Sequence, residues 1–267
     1  MVESFPSERF SLPQPDNLPD WLSKYSSYEN VDDQISATRW GNLNIVTANF
    51  GQRLTNEDLL RNIPVEKRED AQKIIAATGI TMRYMSPPES DFFDHSRSRE
   101  KVIDDTGRIG AYLLHQAIEQ SSLHDIPDHL IVSNLDLPVS LNSSVLTHAH
   151  LNKEITTESI RAACGGGLLG FIKALNDRGL RDKTIAILAL EPTGHLRDKH
   201  HMTAEHIAIP SIFTDMYSVM ILRPSDFDVK DYAVKIIRGG GIKVQTSYAD
   251  MLRIPNQEIP EYLQGHI

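Results

Sequence analysis

Cysteine is almost absent from this chain, since Cys164 is the only one among 267 residues. A single cysteine excludes any disulfide within the chain. No run of eighteen apolar residues occurs, which excludes the usual signature of a transmembrane helix. The first residues contain neither a basic leader nor an apolar core, so no secretory signal is expected there. These absences together predict a soluble cytoplasmic globular protein.

Basic residues are also fewer than acidic ones. The chain has 27 Lys and Arg against 36 Asp and Glu, which gives a formal net charge of −9. Nucleic acids and anionic membrane surfaces select basic patches, so neither is expected as the main partner. The length still allows a substantial core, either as one large domain or as two small ones.

The pattern of prolines and apolar residues changes near residue 40. Residues 1–40 contain four prolines within the first nineteen positions and little periodicity. They predict an arm laid over a neighbouring surface, with Trp21 and Trp40 as anchors. After this arm, apolar runs of strand length alternate with helical patterns. Thr55 precedes a helix start with acidic residues in its first turn, and Gly79 is placed to end the helix after it.

The alternation predicts a layered α/β sandwich. Its helices are expected over 66–77, 99–120, 144–151 and 168–176, and its strands over 43–49, 130–132, 184–190, 213–222 and 232–237. The strand at 184–190 is almost wholly apolar, as expected for a strand covered on both faces.

Cys164 lies in the segment 161–170, Arg-Ala-Ala-Cys-Gly-Gly-Gly-Leu-Leu-Gly. This pattern predicts a strand that ends in a sharp turn, followed by a helix. A thiol there would lie near a helix N-terminus, where the dipole and free N–H groups favour the thiolate. Residues 165–167 lack side chains that could block a bulky acyl group. The alternative is a buried cysteine packed as a small hydrophobe, the commoner fate of a solitary cysteine.

Several segments, taken in order, resemble the β-ketoacyl-ACP synthase III group of the thiolase superfamily. The opening of that group is matched by 43–49, 53–60, 77–80 (Ala-Thr-Gly-Ile) and 83–90 (Arg-Tyr-Met-Ser-Pro-Pro-Glu-Ser). Residues 161–170 resemble its nucleophile turn, and 213–222 resemble its Phe-Gly-Asp-Gly-Ala strand. Residues 239–255 are similar to the segment that links the two halves of the family fold. The resemblance runs from about residue 43 to 256.

This resemblance implies a thiolase-like layered α-β-α sandwich, of which the chain carries the N-terminal half. That half is a mixed sheet around a buried helix that follows the nucleophile turn. The implied domains are an arm at 1–40, the thiolase-like half at 41–225 and a linking segment at 226–267, which leads toward a missing second half.

The resemblance also implies an acyltransferase or ketosynthase of fatty acid or polyketide biosynthesis. Cys164 would be the catalytic nucleophile that accepts an acyl group from acyl carrier protein or acyl-CoA. No cofactor and no metal are expected. The partner would be a thiolase-fold chain in a homodimer or heterodimer.

The chain also departs from the family. The catalytic His and Asn of these enzymes belong to the second half, and no counterpart of their motifs occurs here. Three alternatives follow: the chain is a fragment, another chain supplies the rest, or the protein has given up condensation. In the last case the function would be that of a non-catalytic subunit that stabilises a complete ketosynthase.

Two departures concern the donor. Family members that take acyl-CoA often hold the adenine between a Trp and an Arg, and the matching positions here are Lys73 and Ala77. The glycines of the family's Phe-Gly-Asp-Gly strand are replaced by Thr214 and Met216, with Tyr217 following. Met216 and Tyr217 are expected to fill space near the active site, which favours a carrier-bound acyl group over acyl-CoA.

Histidines form the last set of candidates. His195, His200, His201 and His206 fall in a polar stretch that is best interpreted as a solvated loop. A metal site is the alternative, as is one imidazole acting as the base for Cys164. The short helix carrying His148 and His150 is expected to present them to solvent or to a dimer partner. The mixed-charge run at 94–105 is expected to be a solvated face.

Overall fold

A computed structural model of the chain describes residues 18–19, 35–40, 43–48, 50–61, 63–85, 99–120, 126–135, 137–151, 154–193 and 211–223. All of them belong to the first of two compact units, Met1–Asp228. The second unit, Val229–Ile267, lies outside the described residues, and so does the strand expected at 232–237.

A six-stranded mixed sheet is the frame of the described chain. The strand order across the sheet is β1 (Ile35–Trp40), β2 (Leu43–Ala48), β8 (Met216–Leu222), β7 (Ile185–Glu191), β5 (His129–Asn134) and β6 (Thr156–Arg161). Strands β5, β6 and β7 run parallel, whereas β8 is antiparallel to both of its neighbours and β1 is antiparallel to β2. A separate antiparallel hairpin consists of β3 (Gln52–Thr55) and β4 (Met82–Met85).

Helices cover both faces of the sheet. The described α-helices are α1 (Asn56–Arg61), α2 (Arg68–Thr78), α3 (Arg99–Gln120), α4 (Ser140–His148) and α5 (Gly166–Asn176). Helix α3 packs on β8, β2 and β7, and the adjoining α4 packs on β5 and β6. Helix α5 lies over β7, β5 and β6 on the opposite face, because the strand residues that contact it alternate with those in the core beneath α3. The layered α/β sandwich predicted from the sequence is confirmed.

Local signals set two helix ends as the sequence predicts. Thr55 donates from its backbone N–H and its hydroxyl to Asp58 Oδ2, at 2.9 and 2.8 Å, and the Asp58 N–H donates to Thr55 Oγ1 at 3.2 Å. This reciprocal capping starts α1 and lowers the pKa of Asp58 through the two hydrogen bonds from Thr55. Helix α2 ends at Gly79, which adopts a φ of +66° that a glycine tolerates easily.

Residues 35–40, the last part of the arm expected over 1–40, are a regular strand. They form the edge strand β1, paired along its length with β2. Leu18 also belongs to the described part of the arm, and it packs in the core shared by α3 and the sheet. Trp40 is the last residue of β1, whereas Trp21 lies outside the described residues.

Asp105 is wholly buried, although the mixed-charge run at 94–105 was expected to face solvent. Its carboxylate accepts a hydrogen bond from Lys101 Nζ at 2.8 Å, one turn earlier on α3. A buried carboxylate costs free energy unless it is paired, and the lysine supplies that pairing from the helix itself. The prediction of a solvated face is therefore wrong at this position.

Arg83 on β4 is a buried cross-link between distant segments. Its Nε donates to the Ser211 carbonyl at 2.9 Å, and its Nη1 donates to Asn56 Oδ1 at 2.6 Å. Its Nη2 reaches the carbonyl of Ile80 at 3.3 Å. Burial lowers the pKa of Arg83. One guanidinium thus holds together the start of α1, the turn after α2 and the approach to β8.

Replacing Arg83 by Met should lower the free energy of unfolding by about 3 kcal/mol, because the carbonyls it now satisfies would be buried without a donor. Urea unfolding followed by circular dichroism measures this loss. The matched control is Arg61→Met, which removes an exposed arginine paired with Asp58 and should change the midpoint little. Equal urea midpoints for the two variants would contradict the role of Arg83 as a stabilising buried cross-link.

Candidate nucleophile site

Cys164 lies between the end of β6 and the start of α5. Strand β6 ends at Arg161, a single 3-10 turn spans Ala163–Gly165, and α5 begins at Gly166. The Cys164 side chain is exposed. The alternative of a buried cysteine acting as a small hydrophobe is therefore wrong. The first turn of α5 directs backbone N–H groups without intrahelical acceptors toward the same end of the helix.

The three glycines after Cys164 have different surroundings. A Cβ added at Gly165 would meet nothing within 4 Å, so this position borders open space. A Cβ at Gly166 would lie 1.9 Å from Ser133 Oγ, and one at Gly167 would lie 3.2 Å from the Cβ of Ala189. Gly166 is therefore required for close packing of α5 on the sheet, whereas Gly165 leaves room beside the thiol.

Ser133 is a site residue that the sequence reasoning missed. It precedes the last residue of β5 and is wholly buried beneath the first turn of α5. Its Oγ has no hydrogen-bond partner within the part of the chain that the structure describes. The available signal was the interruption of the apolar run at 130–132 by a serine and an asparagine.

The carboxyl ends of the parallel strands meet at the Cys164 edge of the sheet. Asn134, the last residue of β5, is in register with Arg161, the last residue of β6. On the other side, β7 ends at Glu191, which is paired with Met216 at the start of β8. Ligand sites of open α/β sheets commonly form at this edge.

Tyr217 does not fill space near Cys164, contrary to the expectation from the sequence. It is wholly buried in the core on the α3 side, where its ring packs against Phe50 with centroids 6.0 Å apart. Burial first, and then the charges of Asp215 and Asp105, raise the pKa of the phenol well above its usual value. Met216, by contrast, is 45% exposed.

The described histidines lie away from Cys164. His148 Nε2 is 2.7 Å from Asp104 Oδ1, so this residue links α4 to α3 within the chain. His115 contacts the Ala149 carbonyl at 2.9 Å, and His129 lies at the amino end of β5, at the opposite edge of the sheet. His150 follows α4 with a φ of +53°. None of these four is placed to act as the base for the thiol.

Four other histidines that the sequence analysis considered lie outside the described residues: His195, His200, His201 and His206. Within the described part, no group of three or more His, Cys, Asp or Glu residues could hold a metal ion. Lys73 on the exposed side of α2 pairs with Glu69 at 2.9 Å.

Comparison with solved structures identifies the fold. No protein-family model matches the chain, and no curated protein matches it. Among solved structures, it is similar to 1,3,6,8-tetrahydroxynaphthalene synthase from Streptomyces coelicolor A3(2), a bacterial type III polyketide synthase. The identity is 16% and the TM-score 0.55, over 72% of this chain and 55% of that chain. The chain therefore has a thiolase-like fold.

Two further type III polyketide synthases give the same result. The C-terminal domain of Steely1 from Dictyostelium matches with 18% identity and a TM-score of 0.52, over 66% of this chain and 54% of that one. A pentaketide synthase from Neurospora crassa matches with 16% identity and a TM-score of 0.54, over 67% and 55%. The chain thus spans about half the length of these structures.

The comparisons refine the family resemblance. Type III polyketide synthases share the thiolase-like fold with the β-ketoacyl-ACP synthase III group, so the predicted thiolase-like fold is confirmed. Assignment to the β-ketoacyl-ACP synthase III group itself stays a prediction.

No described helix combines the length and the apolar character needed to cross a membrane.

Replacing Gly166 by Ala should destabilise the protein by about 1–3 kcal/mol, because the new methyl group would overlap Ser133 Oγ. The matched Gly165→Ala variant should unfold like the wild type, since its methyl group enters open space. Adding Ser133→Ala to Gly166→Ala should restore part of the loss. Urea unfolding of the three variants checks this, and equal stability of the two single variants would contradict the packing described for α5.

Proposed function

We propose that this chain accepts an acyl group on Cys164, as the first step of acyl transfer or condensation of the kind that β-ketoacyl-ACP synthase III enzymes perform. Completing a condensation would require a second thiolase-type half or a partner chain. The observation that carries the proposal is the exposed Cys164 at the glycine-bearing start of α5, on a thiolase-like fold.

The acylation step needs only groups at this turn. Cys164 Sγ attacks the carbonyl carbon of an acyl thioester, and a new carbon–sulfur bond forms. The bond from that carbon to the donor sulfur breaks, and the proton lost from the Cys164 thiol ends on the donor sulfur, so the donor leaves as a thiol. Backbone N–H groups at the turn, that of Cys164 among them, stabilise the negative charge on the carbonyl oxygen. No cofactor or metal enters this step.

The acyl donor would be acyl carrier protein or acyl-CoA. The similar solved structures are polyketide synthases, which supports polyketide biosynthesis as a setting at least as well as fatty acid biosynthesis. Lys73 and Ala77 offer no aromatic ring for an adenine, which favours the carrier protein.

The outer face of α5 supports the need for a second half or partner. Leu168 and Leu169 point away from the sheet and are 62% and 38% exposed. Of the eleven residues in α5, only Lys173 and Asn176 are polar, and a helix that is apolar all round belongs in an interior. On β2, farther along the sheet, Ile45 is only half-buried.

A non-catalytic thiolase-fold subunit is the second candidate function. The apolar outer face of α5 favours assembly, and none of the described histidines lies beside Cys164 to serve as a base. In this case the chain would stabilise a complete ketosynthase without being acylated itself. Strand β6, which pairs with β5 at one end of the described sheet, offers an edge for pairing with a second copy or another thiolase-fold chain.

Incubation with acetyl-CoA, or with an acetylated carrier protein, should add one acetyl mass to the wild type and none to Cys164→Ala. Mass spectrometry of the intact protein reads the adduct directly. The control is Ser159→Ala on β6. The Ser159 hydroxyl donates to Asn142 Oδ1 and not to the thiol, so its removal should leave the adduct unchanged. If the mass of the wild type stays unchanged with both donors, the acylation of Cys164 is contradicted. The non-catalytic subunit would then be the remaining candidate function.

Leu168→Glu should prevent assembly, because it would bring a charge into an apolar interface. Size-exclusion chromatography with light scattering should give a dimer for the wild type and a monomer for Leu168→Glu. Val65→Glu serves as the control, since Val65 is highly exposed in the turn before α2 and should leave the dimer intact. A stable monomeric wild type would argue against a homodimer.

A further inference from the structure

We propose that Met216 limits the length of the acyl group that Cys164 can accept. This inference rests on the proposed function and concerns the space into which an acyl chain on Cys164 would extend. Met216 is the first residue of β8, at the sheet edge where Cys164 also lies.

The face on which Met216 lies follows from the alternation along β8. Tyr217, Val219 and Ile221 are all buried in the core beneath α3. Successive side chains of a strand point to opposite faces, so Met216 lies on the α5 side. This is the side that carries Cys164 and its glycines.

The strand register brings Met216 close to the first turn of α5. Met216 pairs with Glu191 on β7, and Ala189 is the diagonal neighbour two residues earlier. Diagonal neighbours of an antiparallel pair lie about 7–8 Å apart. Ala189 in turn lies directly beneath Gly167, where an added Cβ would be only 3.2 Å from its own Cβ. An extended methionine side chain can therefore reach the glycine turn.

A polar group lies under the glycine turn, and an apolar side chain lies on the same face of the sheet. The Ser133 hydroxyl is wholly buried under Gly166 and has no hydrogen-bond partner within the described part of the chain. Gly165 borders open space, and Met216 on the α5 face of β8 is a partly exposed apolar side chain. Few polar groups beside an apolar wall are typical of small-molecule sites.

The backbone that carries Met216 is held in place. The Asp215 N–H donates to the Tyr84 carbonyl at 2.8 Å. Thr214 Oγ1 donates to the same carbonyl at 2.7 Å and accepts from the Tyr84 N–H at 2.9 Å. Met216 follows these contacts directly, and it also pairs with Glu191 on β7, so its backbone is anchored on both sides. A residue that is fixed in this way can set a length limit.

The experiment compares acylation of Cys164 by acetyl and by dodecanoyl groups, each supplied both as the CoA thioester and on an acyl carrier protein, and reads adduct mass against time. Met216→Ala should raise the ratio of the dodecanoyl rate to the acetyl rate at least about tenfold over the wild type, and Met216→Trp should lower it. Met220→Ala is the matched control, because this methionine lies on the same face of β8, opposite Ile187 and away from the edge. It should leave the ratio unchanged.

The outcomes separate this inference from the proposed function. If every variant is acetylated and all ratios equal that of the wild type, the role of Met216 is overturned and the acylation of Cys164 stands. If neither donor acylates any variant, the proposed function fails and this inference fails with it. A ratio that rises equally in Met216→Ala and Met220→Ala also overturns it, since it reflects a loosened strand. Thermal unfolding of each variant confirms that the comparison is made on folded protein.

Discussion

The close approach of α5 to the sheet at Gly166 is the contact on which the rest of the site depends. Any side chain at this position would overlap Ser133 at the end of β5. Because the helix lies this close, it begins at the carboxyl edge of the parallel strands. The 3-10 turn that precedes it leaves Cys164 exposed. The same geometry directs Leu168 outward, so presentation of the thiol and exposure of an apolar helix face have one origin.

Features with local causes could be predicted from the sequence. The start of α1 follows from Thr55 and Asp58, and the end of α2 follows from Gly79, since each depends on residues within one turn. Helix α3 has the predicted bounds because its apolar stripe is long and regular. The strand–turn–helix around Cys164 was also predictable, although it is the order of several segments that indicated the thiolase-like fold.

Features that depend on distant partners could not be predicted in this way. The burial of Asp105 follows from how α3 packs, and the role of Arg83 depends on Ser211, which is 128 residues away. Which face of β8 Tyr217 occupies is set by strand register, and a shift of one residue would have placed it on the face that carries α5. Ser133 carries no motif of its own, and it matters only because Gly166 lies above it.

The proposed chemistry depends on a turn that presents an accessible nucleophile able to accept acyl groups. Alkylation of the native protein by iodoacetamide, with and without prior incubation with acetyl-CoA or an acetylated carrier protein, measures both properties of Cys164. We expect one thiol to react in the folded protein, and we expect prior acylation to protect it until hydroxylamine removes the acyl group. A thiol that reacts only after unfolding, or at the same rate whether or not the donors were present, would contradict the account.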